Sequence, residues 1–219
     1  TVCVDDKDNI LALQKAAALA GSTIHCLVEY EIGMHRCGVE RPEEVYELVK
    51  VIETCSNLTF DGIQAYAGNL SHEVDYATRD AESARVEERL SELVRYLTSQ
   101  GVKVKEISGA STGTIQFRGK DTIYTEVQAG SYIFMDMAYK EVDLPFQNSL
   151  FVLTSVVSKR AGTIITDAGR KSVSMDQKMP EFLEYPGHPV KLSEEHCSLY
   201  EDLPVSIGDH LHLIPGHCC

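Results

Sequence analysis

The sequence predicts a parallel β/α domain followed by a smaller, mostly β domain. Three observations carry this reading. Over 1–128, strand-like apolar runs alternate with amphipathic helical segments. Past 150, helical periodicity is absent and short strand signals are separated by Gly and Pro. The change of character falls at Leu144-Pro145, which sets the expected domains at 1–145 and 146–219.

Taken in order, residues 2–4 are a short apolar run. A helical segment follows with Ile10, Leu13, Ala17 and Ala20 on one side, and Gly21 ends it. Residues 24–32 read as a strand leading into the loop 33–38. Pro42 stands where helices begin, and Val45, Leu48, Val49 and Ile52 keep the i, i+3, i+4, i+7 spacing of a buried face. Residues 60–66 are the next strand. A long amphipathic helix over 79–100 buries Leu90, Leu93, Val94 and Leu97 and closes at Gly101. A strand over 102–107, a glycine-bearing loop over 108–114 and a strand over 124–128 complete the first part. Strand–helix units of this length imply a parallel sheet with helices outside. Five strands can be counted, whereas a closed β/α barrel needs eight over roughly 250 residues. Either the sheet is open or strands before Thr1 are missing. In the second part, strands are expected at 150–158, 163–166 and 210–214.

Composition narrows the function. Of 219 residues, 43% are hydrophobic and 24% charged, enough to bury a full core. Twenty basic against 33 acidic residues leave a net charge of −13, which repels phosphodiester backbones and anionic lipid. Nucleic-acid and membrane partners are therefore not expected. No apolar run approaches the roughly 18 residues of a membrane helix. Seven cysteines, an odd number spread along the chain, do not form a disulfide framework and point to a reducing, cytoplasmic compartment. The chain opens in a strand-like run without an initiator Met and stops at Cys218-Cys219, directly after Pro215-Gly216-His217. Both ends read as cuts through a larger protein.

In a parallel β/α architecture the site lies at the C-terminal ends of the strands, so the loops there carry the chemistry. Ser108 to Thr114 combines glycines with hydroxyls, which lets backbone N–H groups approach an anion as in a phosphate cradle; a plain Gly/Ser turn fits equally well. Gly130 and Ser131 offer further amides after the next strand, or mark a bulge. Arg36 follows a strand carrying Glu29 and Glu31; it can pair with a cofactor oxygen or simply with those neighbours. His217 and Cys219 place imidazole and thiolate within reach of one ion, a ligand pair that prefers zinc. His210 and His212 are a competing pair, and His72, His196 and Cys197 are further donors.

Seven segments in order carry a family resemblance: Val-Glu-Tyr-Glu-Ile-Gly-Met-His-Arg-Cys-Gly-Val at 28–39, Ala-Tyr-Ala-Gly at 65–68 with His72, Thr-Gly-Thr at 112–114, Gln-Ala-Gly-Ser-Tyr-Ile-Phe-Met-Asp at 128–136, Asp-Ala-Gly-Arg-Lys at 167–171, Glu-His at 195–196, and Pro-Gly-His at 215–217. Together they resemble the metal-activated D-threonine aldolases and their relatives, the eukaryotic-type D-serine dehydratases. The similarity spans essentially the whole chain. It implies a fold-type III pyridoxal 5'-phosphate enzyme, with a TIM-type, alanine-racemase-like β/α barrel followed by a β domain. By position, Ser111, Thr112, Gly113, Gly130 and Ser131 would hold the cofactor phosphate, with Tyr132 beside them. Tyr66 would pack on the ring, Gln128 would lie near its nitrogen, and Arg36 would sit by the phenolic oxygen or the imine. His217 and Cys219 would hold a divalent metal, and His72 would act on the substrate's β-hydroxyl.

The implied activity is cleavage of D-3-hydroxy amino acids to glycine and an aldehyde. The alternatives are dehydration to a 2-oxo acid plus ammonia, and a non-catalytic cofactor carrier. Aldolases place aspartate at the second metal position, whereas Cys219 matches the dehydratases and selects zinc over manganese or magnesium. The family's Schiff-base lysine has no counterpart among the lysines present, so the resemblance implies an N-terminally truncated barrel that is inactive alone. Relatives are often homodimers.

Overall fold

A computed structural model describes residues 1–218; Cys219, expected as a metal ligand, lies outside the described residues. The chain divides into two compact units, Thr1–Ala129 and Gly130–Cys219.

The first unit runs β1 (Val2–Val4), α1 (Lys7–Leu19), β2 (Ile24–Glu29), α2 (Pro42–Glu53), β3 (Leu58–Ala65), α3 (Tyr76–Ser99), β4 (Glu106–Gly109) and β5 (Glu126–Val127). The strands are all parallel and lie in the order β1-β2-β3-β4-β5. That unreversed order is the singly wound path of a β/α barrel, not the doubly wound path of a nucleotide-binding sheet. The helices form because their ends are capped as well as patterned. Asp6 accepts from the Asn9 N–H at 2.8 Å, and Asp75 accepts from the Thr78 N–H at 2.7 Å. Pro42 opens α2, whose buried residues are the four the spacing predicts, Val45, Leu48, Val49 and Ile52. They pack with Ile10, Val28, Ile63, Leu90, Leu93 and Leu97 into one core.

One expected strand is largely absent. Over 102–107 only Glu106 and Ile107 are strand. The preceding residues serve the end of α3 instead: Gly101 takes φ +81°, and the Val102 N–H reaches back to Leu97 O at 3.0 Å. This is a glycine-closed helix terminus that a strand pattern does not reveal. The expected loop at 108–109 is correspondingly the end of β4.

The second unit contains β6 (Val152–Arg160), β7 (Thr163–Thr166), β8 (Glu181–Phe182), β9 (Val190–Leu192), β10 (Cys197–Leu199) and β11 (His210–Ile214). They form an antiparallel sheet ordered β8-β11-β6-β7-β10-β9 over a core of Val156, Ile164, Phe182, Leu199 and Leu213. Strands β8, β9 and β10 span only two or three residues, too short for an alternation signal. Segment 130–145, which the sequence reading groups with the first part, bonds within this unit: the Met137 N–H donates to Pro215 O and the Ala138 N–H to Gly216 O, both at 3.0 Å. Among the described residues, no helix is long and apolar enough to cross a membrane.

Candidate active site

In the first unit the sheet has one face against the helices and one without them. Ile63 and Ala65 belong to the helix-side core, so Gln64 between them points to the other face. Strand register then sets Glu29, Gln64, Ser108 and Glu126 side by side at the C-terminal edge. Gln128, two residues beyond Glu126, joins this polar row. The Ser108 hydroxyl donates to Glu126 Oε1 at 2.5 Å; a carboxylate only accepts, so Ser108 meets Gln128 as an acceptor. The Gln128 amide nitrogen accordingly donates to Ser108 Oγ at 2.8 Å and to Gln64 Oε1 at 2.5 Å. Its carbonyl oxygen accepts from Gln64 Nε2 at 3.3 Å and has a second lone pair to offer. A ligand atom meeting Gln128 therefore has to be a donor.

The loop after β4 carries Ser111, Thr112 and Gly113. Ser111 and Thr112 are each 2% exposed, and the N–H groups of Thr114 and Ile115 turn back onto Ser111 O. Ala110 holds a left-handed φ of 56°, a costly conformation for a residue with a Cβ. A Cβ on Gly113 would stand 2.2 Å from Ser71 O, so this loop lies directly on the backbone of the turn that follows β3. The Ser71 hydroxyl there is buried and without a hydrogen-bond partner. A buried, unsatisfied hydroxyl beside a loop of hydroxyls and glycine fits an anion such as a phosphate.

The same turn contains Tyr66 and His72. A side chain at Gly68 would collide with the Tyr66 ring and approach Met34 Sδ, so the loops after β2 and β3 touch as well. The structure thus gathers Tyr66, His72, Ser111, Thr112, Gly113 and Gln128 on adjoining strand ends. Arg36 lies in the exposed loop after β2. It is not what satisfies Glu31, whose carboxylate accepts N–H bonds from Gly33 and from His35, the latter at 2.7 Å. Arg36 acts instead on Glu29: burial and then the charge of Asp5 push the Glu29 carboxyl up, and Arg36 opposes them.

Burial disfavours ionised Glu31, but the bonds from Gly33 and His35 outweigh it and hold the carboxyl below its usual range. A depressed folded-state value contributes stability that is present above the unfolded value and lost as pH falls through the folded one. We expect Glu31→Gln to cost about 1.5–3 kcal/mol at neutral pH, as hydrogen bonds to a charged group do, and to flatten the acid limb of a stability–pH curve. Urea melts from pH 3 to 7 check this; an unchanged acid limb would remove Glu31 as the anchor of the Arg36 loop.

In the second unit, Gly130 and Ser131 open a short turn in which the Met135 N–H donates to Ser131 O at 2.7 Å, with Tyr132 following. Gly130 has φ −118° and open space where a Cβ would stand, so neither backbone nor packing demands glycine. His217 lies past β11 with Nδ1 3.0 Å from Asp136 Oδ2. Two of the other donors are engaged elsewhere. His210 lies 3.2 Å from Ser155 Oγ, and His212 lies 2.7 Å from Glu184. Cys197 is core, and burial pushes its thiol up to about 12. Among the described residues, no three His, Cys, Asp or Glu side chains group as a metal site. Ser71, Gln64, Glu126 and Asp136 are not among the residues the sequence singles out, and Ser108 stands there only as the start of the 108–114 loop. Only the period-2 alternation around Gln64 and Ser108 hints at them; Ser71 and Asp136 leave no local signal.

Residues 1–138 match the family described as "Alanine racemase, N-terminal domain", and residues 149–219 match "Putative serine dehydratase domain". The chain is 37% identical to the 3-hydroxy-D-aspartate aldolase of Paracoccus denitrificans (strain Pd 1222), over 100% of this chain and 59% of that protein. It is 36% identical to the D-threonine aldolase of Arthrobacter sp, over 99% and 60%. The crystal structure of D-threonine aldolase from Filomicrobium marinum superimposes with a TM-score of 0.93 at 34% identity, covering 99% of this chain and 60% of that one. The chain thus spans about three fifths of the length of these relatives.

Proposed function

The chain belongs to the alanine racemase N-terminal domain family, with a serine dehydratase-type domain behind it, and from this premise we propose that it serves a lyase of D-3-hydroxy amino acids, yielding glycine and an aldehyde. The observation that carries the proposal is the buried, unpartnered hydroxyl of Ser71, a residue whose backbone lies against Gly113 of the Ser111-Thr112-Gly113 loop, the proposed seat for the phosphate of pyridoxal 5'-phosphate. When bound, that cofactor accepts the electron pair left at a substrate carbon when a bond there breaks.

Each side chain then has a task. Ser111, Thr112 and Gly113, with Gly130, Ser131 and Tyr132, are the proposed phosphate contacts. Tyr66 would cover the ring, Arg36 would face the phenolic oxygen, and the Gln128 carbonyl oxygen would accept a hydrogen from the ring nitrogen. His72 takes the proton of the substrate's β-hydroxyl as Cα–Cβ cleavage begins. His217 and Cys219 are the proposed holders of a divalent metal whose Lewis acidity makes that hydroxyl easier to deprotonate. The thiolate favours zinc over manganese or magnesium. In this division of labour, 1–145 carries most of the cofactor contacts and 146–219 the metal ligands. No lysine of this chain is assigned to the covalent cofactor link; Lys105 pairs with Asp61 at 3.0 Å. A homodimer in a reducing, cytoplasmic setting completes the proposal, in keeping with six described cysteines that form no disulfide.

The match of 149–219 to a serine dehydratase domain supports a second reading, loss of the hydroxyl as water to leave a 2-oxo acid and ammonia. Product analysis of the complete protein, supplied with cofactor and zinc, separates the two. Glycine plus acetaldehyde from D-threonine is the expected result; 2-oxobutanoate with ammonia would establish the dehydratase. Absence of turnover on both D-threonine and D-serine would end the lyase proposal.

A further inference from the structure

The second unit buries a carboxylate that the proposed chemistry leaves unused. The Asp136 side chain is 0% exposed. Its Oδ1 accepts the N–H groups of Ala138 at 3.0 Å and Tyr139 at 3.2 Å. Its Oδ2 accepts the Cys218 N–H at 3.0 Å and lies 3.0 Å from His217 Nδ1. The Cys218 thiol points at the same oxygen from 3.6 Å. Both oxygens are thus saturated by protein donors, and no lone pair is directed at an ion. Asp136 is placed to orient something, not to ligate.

A carboxylate has no hydrogen to give, so the short contact requires the hydrogen on His217 Nδ1. In neutral imidazole the lone pair then resides on Nε2. The surrounding main chain reinforces this. Residues 137–138 bond to Pro215 O and Gly216 O, and the Gly216 N–H donates to Ser174 O at 2.8 Å. A Cβ on Gly216 would come within 2.0 Å of Lys178 O, so only glycine lets the loop seat this closely.

We infer that Asp136 is the positioning residue that locks His217 in the tautomer and orientation presenting Nε2 to a divalent cation. The inference rests on the reading of His217 as a metal ligand. Ring nitrogens of metal-binding histidines that donate to a carboxylate are held in register for the ion, and loss of that partner weakens metal binding by about 10–100-fold.

The test uses full-length protein stripped by a chelator and titrated with zinc chloride against a competing indicator. Asp136→Asn keeps an oxygen for the Ala138 and Tyr139 amides but turns an NH2 toward His217 Nδ1. The imidazole must then move its hydrogen to Nε2, where it blocks ligation. Zinc affinity is expected to fall by about 10–100-fold, at least as far in His217→Ala, and no further when both changes are combined. Native zinc affinity in Asp136→Asn alongside weakened binding in His217→Ala would overturn the role of Asp136. Native affinity in His217→Ala would instead remove His217 as a ligand, and the reading beneath the inference with it. If Asp136→Asn does not fold, 15N NMR of the unaltered metal-free protein decides. A protonated Nδ1 and pyridine-type Nε2 on His217 support the assignment; the reverse overturns it.

Discussion

Asparagine in place of His72 is expected to lower turnover of D-threonine by about 10²–10⁴-fold, the usual worth of a positioned general base. The change preserves approximate size and one hydrogen-bonding edge while removing a side chain able to carry the proton. His72 follows Ser71, whose backbone oxygen lies against Gly113, so the base stands one residue from the proposed phosphate seat. A positional defect would reach the cofactor too. The variant must therefore keep native cofactor absorbance and native melting temperature for the loss to be read as chemistry. Turnover within threefold of the parent would exclude His72 as the base.

The second large effect is structural. Arg118→Met is expected to destabilise the first unit by about 3–5 kcal/mol, because it strands a buried carboxylate. Glu87 lies in α3 with its side chain 10% exposed and accepts from Arg118 Nε at 2.6 Å, Thr122 Oγ1 at 3.1 Å and the Ile123 N–H at 3.1 Å. Arg118 also bonds Asp80 Oδ1 at 2.8 Å and Ser83 Oγ at 2.6 Å, so one guanidinium ties the segment before β5 to the middle of α3. Arg118 holds this place at a left-handed φ of 57°, where side chains rarely sit, which shows how strongly its partners determine it. The Glu87→Leu, Arg118→Met double variant should recover much of the loss, since an apolar pair leaves no buried unpaired charge and Asp80, the remaining carboxylate partner of Arg118, is half exposed to water. Urea unfolding of the singles and the double measures the coupling. A cost below 1 kcal/mol for Arg118→Met would show the pair to be solvated and dispensable.

Both effects fall on residues that local pattern treats very differently. His72 comes to attention through its place after Ala-Tyr-Ala-Gly, and Thr112, Gly113 and Gln128 through small or polar residues just past strand signals. Such positions are legible because strand ends and glycine loops have a local grammar. Glu87 and Arg118 resemble ordinary charges on an amphipathic helix and a loop. Their pairing joins residues 31 apart, and burial is what turns it into a large energy. Ser71 and Asp136 are hidden for the same reason. The partner that gives Asp136 its meaning stands 81 residues away.

Element boundaries follow the same division. The buried face of α2 was legible because four apolar residues share one side of a helix whatever surrounds it. The strand expected at 102–107 was not, because Gly101 and Val102 were already committed to ending α3. Strands β8 to β10 exist only by virtue of their neighbours; two or three residues hold no pattern of their own.

Taken alone, the order of residues determined the alternation of strands and helices, the parallel first part, the β-rich second part and the loops able to meet an anion. Those are consequences of periodicity and of glycine and hydroxyl chemistry, which act within a few residues. Tertiary structure alone decided which way Gln128 turns its amide, which hydroxyl is buried beside Gly113 and which carboxylate holds His217. These depend on hydrogen bonds between distant segments in a medium from which water is excluded, where a donor and an acceptor must find each other or be left unsatisfied.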